Sequence, residues 1–364
     1  MPLPESSSLD SQFTVRPHFS QLDGLRGVAI LMVFVFHAFK ANLLWMGVDL
    51  FFVLSGFLIT GILLKDKGKS ARDYFGAFYV RRAKRILPAY VVILILSALI
   101  FGVGWLHYWY LYLGGMNVLV PMGLNHLDVH PFWSLAVEEQ FYLLWPMAVF
   151  FLPRKELALL AWTLLLLAPV LRLLCAPLFA SGYATYMLLP FRMDTLAAGA
   201  LLAIYWPDLH RKLNSQASRR SEYRKIAGVA LAVSLALALV LNSCGFLPSS
   251  GSGIGKSLLL ESTLAITISL FALAMFEVGK SALNSRILVG LGRISYSFYL
   301  FHMTALYLAP KNNGIIAFFA TVAYATAMWY LVEKPILQSG KREIKVEALP
   351  IEELAESKGR ANLR

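Results

Sequence analysis

Residues 22–39 read LDGLRGVAILMVFVFHAF, and after a short turn residues 46–60 read MGVDLFFVLSGFLIT. Each lies in an apolar run near the 20 residues that a helix, rising 1.5 Å per residue, needs to cross a hydrocarbon layer. Working outward, such runs recur at roughly 25–44, 47–64, 87–106, 132–152, 156–175, 188–206, 226–244, 257–276, 291–309 and 314–332. Of the 364 residues, 58% are hydrophobic and 15% charged. A soluble chain usually carries about a quarter of its residues as charges. Too few remain here to coat a water-facing surface, which excludes the soluble, disordered, collagen-like and disulfide-scaffold classes. The fold class expected is an all-α polytopic membrane protein, a bundle of about ten transmembrane helices.

The formal net charge of +12 lies in blocks between the apolar runs. Cytoplasmic loops hold the Lys/Arg excess because that charge resists translocation. Residues 65–85 contain eight Lys/Arg against two acids, and residues 207–225 six against two. Both loops fall on one side only if an eleventh, shorter apolar piece at 107–122, with Gly114, Gly115, Asn117 and Pro121, does not span. That piece is expected to be an external interfacial or re-entrant segment, within an external stretch 107–131, and both termini are expected in the cytoplasm. The positive charge is thus explained by orientation, and no nucleic acid is expected as a partner; membrane lipids are.

Within this plan residues 1–20 form an N-terminal tail, 21–335 the membrane domain and 336–364 a cytoplasmic tail too polar to fold. The first twenty residues hold no apolar core of a signal peptide, so the first span is expected to direct insertion. The basic stretch 65–86 contains SARDYFGAFYVRRAKRI at 70–86, which reads either as an amphipathic helix on the inner leaflet or as a loop that only sets orientation. Cys175 and Cys244 lie in apolar stretches and are read as isolated buried thiols rather than a pair. No internal repeat is visible, so an inverted-repeat transporter gains no support.

Ionisable residues inside a membrane are costly and therefore functional candidates. Arg26 and His37 share the first span, eleven residues and about 16 Å apart along the axis. Arg26 is placed near the cytoplasmic face and His37 in the outer half. Asp49 opens the second span, close to His37 across the short turn. An acid beside an imidazole fixes its tautomer and supports a general base. Ser55, in VLSGF, lacks the context of a nucleophile elbow and is read as a small packing residue.

HPFWSLAVEEQFYLLWP at 130–146 puts Trp133 and Ser134 at the outer boundary, with Ser134, Glu138 and Tyr142 on one stripe at intervals of four. Glu138 is expected to face the interior, as a base or in an ion pair with Arg192, while Glu139 aligns with Leu135 and Leu143. LPFRMDTLAAGALLA at 189–203 adds Arg192 and Asp194, and LGRISYSFYLFH at 291–302 adds Tyr296 and His302. From topology alone His37, Asp49, Glu138, Arg192, Asp194 and His302 should converge on the outer half. Two motifs are weak: SSGSGIGKS at 249–257 has Ser250 where a phosphate loop needs glycine. HLDVH at 126–130 offers His126 and His130 without a third fixed zinc ligand.

These segments together resemble the acyltransferase-3 family of integral membrane O-acyltransferases. LDGLRGVAILMVFVFHAF is similar to the family's Arg-x10-His signature, and GVDLFFVLSGFLIT, FWSLAVEEQFYLLWP, FRMDTLAAGALLA and GRISYSFYLFH follow in the family's order. The resemblance covers about residues 20–335. It implies ten transmembrane helices in a bacterial cytoplasmic (inner) membrane. It also implies transfer of an acyl group, commonly acetyl, from cytoplasmic acyl-CoA to a hydroxyl of a carbohydrate, glycolipid or small molecule, and maps the family's essential pair onto Arg26 and His37. Acyl-CoA is then a co-substrate, with no permanently bound cofactor and no metal expected. The fused SGNH esterase-like domain of some members is not expected in this chain.

The mechanism that follows docks the donor's phosphates on Arg26, Arg81, Arg82, Lys84 and Arg85. His37 serves as base, oriented by Glu138 or Asp49, and Arg192 steadies developing negative charge. Trp133, Ser134, Glu139, Tyr142, Asp194, Tyr296 and His302 are supporting or acceptor residues, and His107, Trp109 and Asn117 shape acceptor choice. The rival classes are a glycan or lipid transporter and a membrane metallohydrolase built on His126 and His130.

Overall fold

The computed structural model describes residues 20–104, 109, 114–123, 130–179, 181–215, 217–248 and 253–339. His107, His126, Asp128, Ser250 and the two outermost tails lie outside them. Among the described residues thirteen α-helices follow in order: α1 (Ser20–Phe39), α2 (Gly47–Asp66), α3 (Ala71–Phe101), α4 (Met116–Leu119), α5 (Trp133–Phe151), α6 (Arg154–Cys175), α7 (Ala184–Met187), α8 (Met193–Ser215), α9 (Ala217–Ser243), α10 (Gly253–Met275), α11 (Lys280–Leu283), α12 (Arg286–Leu308) and α13 (Gly314–Met328). Short 3-10 turns join several of them, and no strand occurs among the described residues. The protein is an all-α polytopic membrane protein. Among the described residues, seven helices are long and apolar enough to cross a membrane. The long helices α5, α8 and α12 are not among the seven; they carry the polar clusters Glu138–Gln140, Asp194–Thr195 and Arg293–Ser297.

Helix ends follow local chemistry. The Ser70 hydroxyl accepts from the Asp73 N–H (3.2 Å) to start α3, and Asn313 accepts from the N–H groups of Ile315 (3.0 Å) and Ile316 (3.2 Å) to start α13. Gly102, at φ +84°, closes α3, a left-handed position that a side chain would strain. The basic stretch and the third apolar run, expected as separate pieces, form this one helix of 31 residues through Pro88. Its first half does not simply float on the leaflet. Tyr74 is buried and donates to the Pro146 carbonyl (3.2 Å), and Tyr79 donates to the Leu143 carbonyl (3.1 Å), so α3 is tied to α5.

Two seams set the bundle. A Cβ on Gly27 would lie 2.2 Å from the Leu288 carbonyl oxygen, and one on Gly292 would lie 1.9 Å from that of Asp23. Backbones of α1 and α12 therefore touch, as they do across α2 and α8 at Gly56 and Gly199, where the same construction gives 2.1 Å. Water-driven burial does not operate between lipid-embedded helices, so close backbone approach at small residues is what holds such pairs. Around the seams pack Phe34, Phe52, Phe57, Phe271 and Phe298. Cys175 and Cys244 are both free thiols; Cys175 is half-buried and Cys244 exposed rather than buried.

The described part of the expected external segment, 114–123, holds the one-turn helix α4. Gln140 of α5 donates to the Gly114 carbonyl (2.8 Å) and exchanges amide hydrogen bonds with Asn117 (3.0 and 3.1 Å). Asn117 is thereby buried against α5 rather than presented to an incoming molecule.

Candidate active site

The stripe expected on α5 is present and occupied. Glu138 accepts from the Ser55 hydroxyl of α2 (2.7 Å) at one oxygen and from the Tyr142 phenol (3.0 Å) at the other. The Tyr142 phenol also reaches Ser55 at 3.2 Å. The charged neighbours of Glu138 are Arg26 of α1 and Arg82 of α3. Arg82 stacks over the rings of Tyr142 (5.7 Å) and Phe78 (6.0 Å). Glu138, Arg26 and Arg82 are half-buried, and the Nε atoms of both arginines are buried without a hydrogen-bond partner. A half-buried carboxylate between two incompletely satisfied guanidinium groups suits an anionic ligand that the arginines would share.

The other basic residues of α3 are differently employed. Arg81 pairs with Asp66 (2.9 Å) at the surface. Arg85 pairs with Glu333 (2.6 Å), which also accepts from Ser297 (2.6 Å), and stacks over Tyr296 and Trp329. Tyr296 donates to the Ile86 carbonyl (3.0 Å). Glu333 faces inward from a π-helical turn, Trp329–Glu333, that follows α13. Lys84 is half-buried on the same helix.

A second cluster lies where α1 and α12 meet α5. The rings of His37 and His302 are 5.2 Å apart, and His302 is 5.4 Å from Tyr299. Tyr299 donates its phenol proton to the Pro131 carbonyl (2.7 Å), which the Ser134 hydroxyl also reaches (3.3 Å), and the two hydroxyls are 2.6 Å apart. Ser134 sits one turn before Glu138. His37, His302, Tyr299, Ser134, Glu138 and the arginine pair thus form a polar lane through the bundle.

A third cluster is ionic and buried. Asp49 takes Arg192 on one oxygen and the Thr263 hydroxyl (2.9 Å) on the other. Arg172 bridges Asp194 (2.6 Å) and Glu261 and also donates to the Phe191 carbonyl. Lys256 donates to Thr185 (2.8 Å) and the Gly182 carbonyl. Arg192 stacks over Phe52 and Tyr186, and Tyr186 against Trp133. The expected single convergence therefore divides. Asp49 pairs with Arg192, so Arg192 is an ion-pair partner instead of a free oxyanion donor, and the hydrogen bonds of Glu138 go to Ser55 and Tyr142 instead of Arg192. A buried guanidinium is tolerable only when a carboxylate meets it, and it is Asp49 that pairs with Arg192.

Glu139 stands beside the α4 segment, where a Cβ on Gly114 would come 3.3 Å from its carboxylate. Trp109 is 57% exposed.

The family model for an acyltransferase domain matches residues 19–333, from the start of α1 to the π-turn. The chain belongs to the acyltransferase-3 family. Among the relatives of this acyltransferase-3 chain, YrhL of Bacillus subtilis, named provisionally as a peptidoglycan O-acetyltransferase, is 30% identical over 355 residues, which cover 88% of this chain and 55% of YrhL. The O-acetyltransferase OatA of Staphylococcus aureus is 27% identical over 361 residues, covering 88% of this chain and 57% of OatA. The chain thus spans a little over half the length of the curated relatives it matches. No solved structure matches it.

Sequence reasoning missed several residues of this acyltransferase-3 domain. Ser55, read as packing, is a hydrogen-bond donor to Glu138; its place two turns below Asp49 on α2 was the available signal. Arg172, Lys256 and Glu261 are not among the candidates read from the sequence, yet Arg172 is 1% exposed and Lys256 3%. Arg172 and Glu261 sit inside the apolar runs 156–175 and 257–276 and Lys256 at the edge of the second, which is the signal that could have found them.

Proposed function

We propose that this protein is a membrane O-acyltransferase that moves an acyl group, acetyl in the first instance, from acyl-CoA to a hydroxyl of an envelope carbohydrate or glycolipid. Its place is the bacterial cytoplasmic membrane, with both termini inside. The observation that supports this most directly is the polar lane of an acyltransferase-3 domain, with two arginines whose buried Nε atoms lack partners at one end and an imidazole pair at the other. The name of YrhL suggests peptidoglycan as the first acceptor to try.

In this reading Arg26 and Arg82 bind the donor's phosphates, and Arg81 and Arg85 serve structure instead, because each already holds a carboxylate. The thioester is activated beforehand, so the chain's tasks are positioning and proton transfer. His37 removes the acceptor's hydroxyl proton as the oxygen attacks the thioester carbonyl. The C–S bond breaks, and the departing thiolate takes the proton back from His37. Glu138, held by Ser55 and Tyr142, balances the charge of the arginines when no donor is present.

Purified protein in lipid, given isotope-labelled acetyl-CoA and the host's glycan extract, is expected to release CoA and to label a sugar. His37→Ala, folded, is expected to do neither. Wild-type turnover in His37→Ala would overturn the mechanism, and label transfer to no acceptor by the intact wild type would overturn the substrate assignment.

A further inference from the structure

His302 is completely buried, and its two ring nitrogens have different surroundings. Nδ1 lies 2.6 Å from the Tyr299 carbonyl oxygen, one helical turn back. A carbonyl oxygen only accepts, so Nδ1 must carry the proton. Nε2 is then an unprotonated lone pair, and it is buried without a hydrogen-bond partner. An acceptor stranded in this way is costly unless something meets it during function. The Tyr299 phenol cannot, because its proton is given to Pro131. The polar ring that lies alongside is His37, at 5.2 Å between centroids and half-buried where His302 is sealed.

We propose that His302 is the positioning residue for His37. Its lone pair at Nε2 receives an N–H of His37 when that ring takes up the acceptor's proton. The described hydrogen bonds and ion pairs of Asp49 go to Arg192 and Thr263, and those of Glu138 to Ser55 and Tyr142. A neutral imidazole orients its partner and shares the new charge, yet does not hold the proton as firmly as a carboxylate would. The proton therefore remains available for the departing thiolate. Ser134, through Tyr299, keeps the α12 backbone that presents the Tyr299 carbonyl in register. The inference rests on the assignment of His37 as base.

The test compares three variants in purified protein with acetyl-CoA and glycan acceptor. His302→Gln places a carbonyl oxygen near the position of Nε2, whereas His302→Asn keeps only a group near Nδ1. His302→Phe keeps the volume and neither polar atom. Phe and Asn are expected to lower kcat by about 10²-fold with KM for acetyl-CoA unchanged, and Gln to restore a large part of the rate. Thermal unfolding of all three confirms which are folded. Equal rates for Asn and Gln, or a wild-type kcat in folded His302→Phe, would overturn the proposal. His37→Ala run beside them separates the failures. If it is inactive while His302→Phe is wild type, only the positioning role falls; if it is active, the assignment of His37 falls first.

Discussion

A single methyl group on Gly292 tests the seam on which the catalytic geometry depends. Its Cβ would stand 1.9 Å from the Asp23 carbonyl oxygen, whereas ordinary contact begins at 3.4 Å. The obstacle is helix backbone on both sides, so no side chain can swing away. About 1.5 Å of separation between α1 and α12 is required, and α1 carries Arg26 and His37 while α12 carries His302. Alanine would otherwise favour the helix by about 1 kcal/mol over glycine. Overpacking costs about 1–3 kcal/mol, so Gly292→Ala is expected to destabilise by up to about 2 kcal/mol net. Activity is the sharper readout, because misplacing reacting groups by about 1 Å costs on the order of 10²-fold. Gly290, two residues earlier on the same helix, has nothing within 4 Å of a built Cβ. Gly290→Ala is therefore the matched control, expected to be neutral or stabilising with full activity. The assay is label transfer per folded protein, with thermal unfolding measured on both. Indistinguishable turnover and unfolding temperature for the two variants would refute the reasoning.

Other outcomes follow from the same contacts. Arg82→Ala is expected to raise KM for acetyl-CoA by about 10-fold or more through loss of a charge-assisted phosphate contact, whereas Arg81→Ala, whose partner Asp66 lies at the surface, is expected to leave it within about twofold; equal effects would refute the division of roles. Asp49→Asn leaves Arg192 buried without its counter-charge and is expected to cost about 3 kcal/mol or more in a denaturation experiment; a loss below about 1 kcal/mol would show the pair to be dispensable. Glu277, in the loop after α10, is held below the usual carboxylate range by its hydrogen bond from Lys280, then by the charges of Lys280, Arg220 and Arg224. Its contribution is present above the unfolded pKa and lost as pH falls through the folded one. At 39% exposure it is screened to a few tenths of a kcal/mol. The unfolding temperatures of wild type and Glu277→Gln should thus converge below about pH 4 and in high salt.

The helical stretches were legible because lipid imposes a length and an apolar composition on each, and α1, α2, α6, α10 and α13 lie where hydropathy puts them. The stripe Ser134–Glu138–Tyr142 was legible too, since it needs only helical periodicity. What sits across from a stripe was not. Whether Asp49 meets His37 or Arg192 depends on how α2, α8 and α10 pack, and that packing is decided by contacts such as Gly56 against Leu196, which sequence position alone does not pair. The burial of α3's basic face was hidden for the same reason. Arg82 and Arg85 resemble leaflet-facing cations until α5 and the π-turn supply Glu138, Tyr142 and Glu333 as neighbours.

The two free thiols have a practical consequence. Cys244 is exposed immediately after α9, and Cys175, half-buried, ends α6, so the unmodified chain already carries one readily reached chemical tag and one shielded companion. If the basic loops at 65–85 and 207–225 both face the cytoplasm, Cys244 emerges on the opposite surface. A membrane-impermeant maleimide added to whole cells should then label the wild-type protein at Cys244, ahead of Cys175, and a Cys244→Ser chain should lose that signal. Labelling that appears only after the membranes are broken would invert the assigned orientation and, with it, the side from which the donor reaches Arg26.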